Sequence, residues 1–307
     1  MVSNGGEIMA IKDLPLEEYI LKGHAACPGC PATIALRTTL KALGKKTVLI
    51  VPACCSAVIQ ALHPQTSFNV PTLNIAFEAS AAAASGVAAA LKMLEKEDVL
   101  PVVWAGDGGS YDIGLQALSG ALERQTNFIY ICYNNQMYSN TGIQRSGATP
   151  YGAWTTTTWT GKKERQKELA EIVMAHHIPY VATATIAYPE DLYNKVKKAK
   201  EMKGPRYIEI FCPCPPGWRF DMSKTVEMAE LAVKTGTWVL YEAINGKIEF
   251  TSYSKRLLEG KEREPIEKWL KMQGRFRHLS EDDIKEIKHI LDEKWKYYKQ
   301  MYGKKEE

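Results

Sequence analysis

Short apolar runs rich in β-branched and aromatic residues alternate with stretches of helical periodicity along roughly the first two-thirds of the chain. The apolar runs resemble the strands of a buried parallel sheet. The predicted strands span residues 47–51, 99–105, 127–133, 180–186 and 207–211. The predicted helices span residues 79–94, 113–124, 168–176 and 189–202. This alternation predicts a doubly wound α/β fold, in which helices cover both faces of a mostly parallel sheet.

Two segments depart from this alternation. Residues 145–167 form a long connection rich in Thr, Gly and Trp, and loops of this length are usually functional or disordered. From about residue 221 the pattern changes to a helix, an Asn-Gly hairpin signal at 245–246, and a charged helix after Ser280, which with Asp283 makes a weak N-cap signature. The chain accordingly divides into a main domain, residues 1–221, and a C-terminal extension, residues 222–307, that packs on the core or on a partner subunit.

Composition narrows the class of protein. The apolar fraction of 45% and the charged fraction of 24% are those of an ordinary soluble globular protein. The formal charge of +4 is spread along the chain without a Lys/Arg block, so we expect no nucleic-acid partner. The most apolar stretch, 76–94, is interrupted by polar and charged residues, which favours a buried helix over a membrane span. The N-terminus lacks the pattern of a secretory signal, and we expect a cytoplasmic protein with no membrane association.

Glycine, aspartate and asparagine residues follow two successive predicted strands. Gly106-Asp107-Gly108, with Gly109 next, comes directly after one strand, and Asn134-Asn135 follows the next, with 25 residues between Gly108 and Asn134. Glycines allow a diphosphate to approach the backbone, whose N–H groups then donate to its oxygens. A carboxylate and an amide oxygen are ligands that Mg²⁺ prefers. Since ligands bind beyond the carboxyl ends of such strands, the spacing predicts a magnesium–diphosphate site, the alternative being two ordinary turns.

The seven cysteines favour a metal or cluster site. Six of them fall in three tight groups, Cys27/Cys30, Cys54/Cys55 and Cys212/Cys214, while Cys132 lies inside a predicted strand and is interpreted as a small apolar residue. An odd number of thiols in a reducing compartment fits a disulfide framework poorly. Four thiolates from separate loops suit a [4Fe–4S] cluster, and zinc is the alternative for any Cys-x2-Cys pair.

Several motifs together resemble the β subunit of pyruvate:ferredoxin oxidoreductase and its 2-oxoacid:ferredoxin oxidoreductase relatives. They are CPGC, PACCS, GDGG, YNNQMYSNTGIQ, TPYGAWTT and CPCPPGW, and they run from about residue 23 to 218, with a weaker likeness through LKMQGRFRHL. The resemblance implies the diphosphate-side domain of the thiamine-diphosphate-binding fold. It also implies that Asp107, Asn135 and the carbonyl of Met137 bind Mg²⁺, and that Asn140 lies at the diphosphate or the reaction centre as a catalytic residue.

The same resemblance implies a ligand set for the [4Fe–4S] cluster, namely Cys27, Cys30, Cys55 and Cys214. At two of these four ligand positions a second cysteine competes. Cys54 occupies the place of a glycine in the family pattern and competes with Cys55, and Cys212 competes with Cys214.

The implied activity is the coenzyme A-dependent oxidative decarboxylation of pyruvate to acyl-CoA and CO₂, with electrons passing through the cluster to ferredoxin. Branched-chain 2-oxoacids, 2-oxoglutarate or oxalate are alternative substrates. The implied partners are the alpha and gamma/delta subunits, one of which supplies the pyrimidine-side domain and its activating glutamate, because this chain is too short to contain both domains. A non-redox thiamine-dependent decarboxylase subunit and a zinc-bearing assembly protein are the competing functions.

Overall fold

Eight strands form one sheet in the computed structural model, which describes residues 11–62 and 64–302. The strands are β1 (Thr47–Pro52), β2 (Thr72–Ile75), β3 (Leu100–Gly106), β4 (Phe128–Asn134), β5 (Tyr180–Thr185), β6 (Pro205–Phe211), β7 (Tyr241–Ile244) and β8 (Lys247–Phe250). Their order across the sheet is β2-β1-β3-β4-β6-β5-β7-β8. The strands from β2 to β5 in this order pair in parallel, and β7 and β8 extend the sheet in antiparallel fashion.

Helices flank the sheet. They are α1 (Pro31–Leu43), α2 (Cys55–Gln60), α3 (Ser80–Met93), α4 (Leu115–Glu123), α5 (Leu169–Met174), α6 (Pro189–Glu201), α7 (Pro215–Trp218), α8 (Thr225–Lys234), α9 (Ser252–Leu258), α10 (Ile266–Lys271) and α11 (Glu281–Tyr302). Short 3₁₀ segments occur at Ile11–Asp13, Met222–Lys224 and Gly274–Phe276, and a π-helical turn at Gly109–Ile113. Helix α1 packs on α6, and α3 packs on α4. Within the described part of the chain, no helix has the length and apolar character needed to cross a membrane.

The predicted α/β architecture is confirmed. Each strand and helix predicted between residues 47 and 211 is present, with bounds within two residues of the prediction. Helix α1 corresponds to the helical run that follows the Cys27/Cys30 loop in the sequence. Apart from the 3₁₀ and π-helical turns, the elements that the pattern missed are β2, α2, α7, α9 and α10, none longer than seven residues. Two helical turns or fewer give no usable periodicity, and β2 is a short, partly exposed edge strand.

Parallel register places the carboxyl ends of neighbouring strands at one edge of the sheet. Gly106 at the end of β3 pairs with Tyr133, and Asn134 at the end of β4 pairs with Phe211 at the end of β6. Strand β1 lies on the other side of β3 and runs in the same direction. The residues that follow these four adjacent strands therefore meet at one edge, as the sequence predicted.

The C-terminal residues complete the same sheet and cover it. Strand β7 pairs with β5, so the Asn245-Gly246 hairpin is an extension of the sheet. The predicted cap of α11 is present, since Ser280 Oγ donates to Asp283 Oδ2 at 2.7 Å and the Asp283 N–H donates back to Ser280 Oγ at 3.1 Å. Helix α11 is held by Trp295, whose Nε1 donates to the Gly236 carbonyl at 2.9 Å. The division at residues 221/222 stays a prediction.

We expect Trp295→Ala to lower the free energy of unfolding by about 3–5 kcal/mol, because it removes a large buried ring and leaves a cavity under α11. Urea denaturation measures this change. Tyr297 on the same helix is 47% exposed, and Tyr297→Ala serves as the matched control, with an expected loss below about 1 kcal/mol. Equal losses in the two variants would contradict the packing role assigned to Trp295.

Candidate functional site: a polar and thiol-rich sheet edge

Asp107 is the buried carboxylate at the centre of this edge. It follows β3 directly, and only 1% of its surface is exposed. Ser146 Oγ donates to Asp107 Oδ2 at 2.6 Å, and the Asn135 backbone N–H donates to Oδ1 at 3.2 Å. Burial raises the pKa of the Asp107 carboxyl to about 7, although these two hydrogen bonds act in the opposite direction. A cation beside this carboxylate would offset the cost of its burial.

The side-chain amide of Asn135 faces oxygens that resemble a set of metal ligands. Its inward terminal atom lies 2.8 Å from the Met137 carbonyl oxygen, 3.0 Å from Ser139 Oγ and 3.1 Å from Asp107 Oδ1. If this atom is the amide nitrogen, it donates to these oxygens. If it is the amide oxygen, it accepts from Ser139 Oγ, and a cation would offset its close approach to the other two oxygens. Adjacent ligands at about 2.0–2.1 Å from an octahedral Mg²⁺ are separated by roughly 2.9 Å. The spacing of Asp107, Asn135 and Met137 fits that geometry.

The glycines beside Asp107 differ in what they contact. A Cβ added at Gly108 would lie 2.3 Å from the ring of Tyr138, so only glycine fits there. Tyr138 is fixed in turn, because its hydroxyl donates to Asp112 Oδ2 at 2.7 Å. A Cβ at Gly106 would be in ordinary contact with Tyr133, and one at Gly109 would press on Phe77 at 3.1 Å. Packing thus accounts for Gly108, while contact of the three glycines with a diphosphate stays a prediction.

A buried hydrogen-bonded group supports the loop that follows β4. Glu209 on β6 accepts hydrogen bonds from the Tyr111 hydroxyl, from Asn134 Nδ2 at 2.7 Å and from the Tyr207 hydroxyl at 3.0 Å. Asn134 Oδ1 in turn accepts from the Gln136 N–H at 2.8 Å, which fixes the backbone between Asn135 and Met137. Burial raises the pKa of the Glu209 carboxyl, and the three donors oppose that shift.

The long loop at 145–167 is ordered and packs against the polar edge. Thr149 Oγ1 donates to the Gln136 carbonyl at 2.7 Å, and the buried Lys162 Nζ donates to the Thr149 carbonyl at 2.6 Å. Burial lowers the pKa of Lys162 to about 8. Together with Ser146, these contacts place the loop against the polar edge, so of the two alternatives left open by the sequence the loop is not the disordered one.

The cysteine groups lie at the starts of three helices that border the same edge. Cys30 precedes α1, Cys55 is the first residue of α2, and Cys214 precedes α7. The loop between Cys27 and Cys30 turns at Gly29, where φ is +71° and a Cβ would lie 2.5 Å from the Met222 carbonyl oxygen. This close approach needs glycine, and it joins the Cys27/Cys30 loop to the C-terminal extension.

Electrostatics indicates which thiols lie near one another. Burial raises the pKa of Cys55, and the charges of Cys214, Cys54, Cys30 and Cys27 raise it further. Burial likewise raises the pKa of Cys214 to about 11, with additional contributions from Cys30 and Cys27 and an opposing hydrogen bond from the Gly217 N–H. Burial and the neighbouring thiols thus disfavour the thiolate forms of Cys55 and Cys214, and a cationic metal centre would offset this cost.

The arrangement of these thiols differs from a single-ion site. Among residues 11–62 and 64–302, no three His, Cys, Asp or Glu side chains are arranged to hold one metal ion. In a cubane cluster each thiolate binds a different iron, so the four sulfurs do not converge on one point. The described geometry therefore gives no support to a compact structural zinc site.

Comparisons with known proteins agree with this geometry. The family model for the C-terminal TPP binding domain of thiamine pyrophosphate enzymes matches residues 53–210. Ketoisovalerate oxidoreductase subunit VorB of Pyrococcus abyssi is 48% identical over 298 residues, which cover 94% of both chains. Pyruvate synthase subunit PorB of Methanothermobacter thermautotrophicus is 50% identical over 284 residues, covering 91% of this chain and 96% of that one. The chain belongs to the β-subunit family of 2-oxoacid:ferredoxin oxidoreductases. The resemblance drawn from the sequence motifs is thereby confirmed.

A solved structure supports the fold of this β-subunit family member. The match is to 2-oxoglutarate:ferredoxin oxidoreductase from Magnetococcus marinus, with a TM-score of 0.56 and 22% sequence identity, over 69% of this chain and 79% of that chain. Together with the family model, it confirms the predicted thiamine-diphosphate-binding fold.

Some residues at this edge of the β-subunit family member were expected from the sequence and others were not. The structure places Asn135 beside Asp107 and Met137, and their role as Mg²⁺ ligands stays a prediction. Asn140 is exposed, and its catalytic role also stays a prediction. Ser146 was missed, although it lies in the long loop at 145–167 for which the sequence left a functional role open. Glu209 was missed because a single acidic residue inside a strand carries no motif.

We expect Glu209→Gln to remove a pH-dependent part of the stability. A carboxyl whose pKa is raised on folding stabilises the protein fully below its unfolded value near 4.5, and this contribution is lost as the pH rises through the folded pKa. The wild-type free energy of unfolding should therefore fall relative to the variant above pH 4.5, by at most about 1.4 kcal/mol per pH unit. Urea denaturation over a pH series measures it. A constant difference between the two proteins would contradict the raised pKa.

Proposed function

We propose that this chain binds thiamine diphosphate with Mg²⁺ and carries a [4Fe–4S] cluster beside it. With its partner subunits it would catalyse the coenzyme A-dependent oxidative decarboxylation of a 2-oxoacid and pass the electrons to ferredoxin. The observation that carries the proposal is the convergence of buried ligand oxygens and four thiol groups at one sheet edge. A reducing cytoplasm, where we place the protein, keeps such thiols free.

The oxygen ligands proposed for Mg²⁺ are the Asp107 carboxylate, the Asn135 side-chain oxygen and the Met137 carbonyl. The distances from the Asn135 side-chain atom to the Met137 carbonyl oxygen, 2.8 Å, and to Asp107 Oδ1, 3.1 Å, support this assignment. The backbone at Gly106, Gly108 and Gly109 would face the diphosphate, and Asn140 would act at the reaction centre. When bound, thiamine diphosphate supplies the nucleophilic carbon and the electron sink that decarboxylation of a 2-oxoacid requires. The chain's own residues orient it through the metal and exclude water by their burial.

The proposed cluster ligands are Cys27, Cys30, Cys55 and Cys214. The choice of Cys55 over Cys54 is supported by its electrostatic interaction with Cys27, Cys30 and Cys214 together. Cys54 instead interacts with Tyr133, whose hydrogen bond opposes the rise in pKa that burial causes. The choice of Cys214 over Cys212 is supported by the exposure of Cys212, which is only 1%. Cys212 directly follows β6 and is enclosed by the core.

The proposed partners and substrate follow from the family. The relatives carry subunit names, which supports a complex with alpha and gamma/delta subunits, one of which would supply the pyrimidine-side domain and its glutamate. Coenzyme A and ferredoxin would be the acyl and electron acceptors. Pyruvate is the first substrate proposed and a branched-chain 2-oxoacid the second, since relatives of both names are similarly close to this chain.

We expect Cys30→Ala to lose cluster iron, and Asp107→Ala to lose bound thiamine diphosphate and Mg²⁺ but keep the iron. The measurement uses the complete complex, purified anaerobically, with iron, thiamine diphosphate and ferredoxin reduction determined for each variant. Ferredoxin reduction should be abolished in both variants, because one lacks the electron acceptor and the other the cofactor.

Cys132→Ala is the matched control. Cys132 is fully buried inside β4 and is not a proposed ligand, so the variant should keep both iron and thiamine diphosphate. A Cys30→Ala complex with the iron content of the wild type and unchanged ferredoxin reduction would refute the cluster assignment. A wild-type complex with thiamine diphosphate but without iron on this chain would favour a non-redox thiamine-dependent decarboxylase.

A further inference from the structure

Arg275 is fully buried, and its positive charge has no role in the proposed magnesium or cluster ligand sets. It lies in the 3₁₀ turn Gly274–Phe276 and has no exposed surface. Its Nε donates to Gln273 Oε1 at 2.8 Å, and its Nη2 donates to Gln136 Oε1 at 2.7 Å. Both acceptors are neutral amides, and Nη1 is buried without a hydrogen-bond partner in the described part of the chain. A buried guanidinium in this state is costly unless a negative charge lies nearby.

The guanidinium of Arg275 contacts the segments that carry both proposed cofactor sites. Its Cζ lies 3.5 Å from the ring centroid of Trp218, in a face-on cation–π contact. Trp218 ends the turn that begins at Cys214, with the Trp218 N–H donating to the Cys214 carbonyl at 2.8 Å. Trp218 Nε1 also donates to the Asn135 carbonyl at 2.8 Å. The acidic groups whose charges act on Arg275 are Cys214 first and Asp107 second.

The position of Arg275 is fixed by its neighbours. The Gly274 N–H donates to the Arg219 carbonyl at 3.1 Å, and a Cβ at Gly274 would lie 2.6 Å from Arg219 Cβ. The side chain is clamped between the Trp218 ring and the Gln136 amide, so its charge cannot swing toward solvent. A fixed positive charge in a water-excluded region acts more strongly on its surroundings than an exposed one.

We propose that Arg275 is the counter-charge of the iron–sulfur cluster and raises its reduction potential; this inference rests on the cluster assignment made under the proposed function. A cluster held by four thiolates is anionic, and one electron from a reductant adds a further negative charge without making or breaking a bond. A fixed cation nearby stabilises the reduced form more than the oxidised form. The C-terminal extension would thus tune the ease with which the cluster accepts electrons.

The test compares Arg275→Gln, which removes the charge, with Arg275→Lys, which keeps it. Each full-length chain is reconstituted anaerobically with iron and sulfide and titrated with dithionite, and the reduced cluster is measured by electron paramagnetic resonance. In Arg275→Gln we expect the ratio of reduced to oxidised cluster at a given potential to fall about tenfold, a shift of about 59 mV to lower potential for one electron. Arg275→Lys should retain most of the wild-type potential.

Arg206→Gln is the matched control for loss of a buried guanidinium. Arg206 is also fully buried, but it lies on β6 near the opposite edge of the sheet, where its Nη1 donates to Asn127 Oδ1 at 2.6 Å. Its removal should leave the potential unchanged. If Arg275→Gln cannot hold a cluster while Arg275→Lys can, the requirement for charge supports the proposal.

Two results would overturn the inference while leaving the proposed function intact. One is a cluster in Arg275→Gln whose reduction potential equals that of the wild type. If in that variant only the affinity for Mg²⁺ and thiamine diphosphate falls, the charge of Arg275 acts on Asp107 and not on the cluster. The other is an equal shift of the reduction potential in Arg275→Gln and Arg275→Lys, which would show that the shape of the side chain and not its charge sets the potential. A wild-type chain that binds no iron would contradict the cluster assignment itself.

Discussion

The parallel pairing of β1, β3, β4 and β6 is the constraint on which the site depends. Because these adjacent strands run in one direction, Cys55, Asp107, Asn135 and Cys214 emerge at one edge although they are far apart in sequence. The strands β3, β4 and β6 are mostly apolar and almost fully buried, which favours a rigid edge. Ligands held at the ends of such strands keep their spacing without needing to order a loop when a cofactor binds.

The chemistry of this edge is incomplete within the described part of the chain. A buried carboxylate with a raised pKa, a thiol whose pKa is raised by burial and by neighbouring thiols, and a buried guanidinium whose Nη1 has no hydrogen-bond partner are each costly when alone. A divalent cation beside Asp107 and an anionic cluster beside Arg275 would offset these costs together. Burial of unsatisfied charge at a single place is typical of a site shaped for bound groups rather than for its own stability.

The sequence was sufficient for the architecture and for expecting that the candidate ligands in its motifs lie at one edge of the sheet. Apolar runs such as β4 fix the strands, and the glycine, aspartate and asparagine residues directly after them fix the edge. The residues that position these candidate ligands could not be predicted, because their hydrogen-bond partners are distant in sequence. Glu209 accepts from Tyr111, and Arg275 donates to Gln136, across different elements of the folded chain. Short elements such as α7 were missed because they are held by tertiary contacts with too few residues for periodicity.

Anomalous X-ray scattering from anaerobic crystals grown with Mn²⁺ in place of Mg²⁺ tests most directly whether both cofactors share this sheet edge. The account predicts a manganese peak among the Asp107 carboxylate, the Asn135 side-chain oxygen and the Met137 carbonyl. It also predicts a group of iron peaks bound by Cys27, Cys30, Cys55 and Cys214. Manganese located away from Asp107, or no iron bound to these thiols in crystals of the active complex, would contradict it.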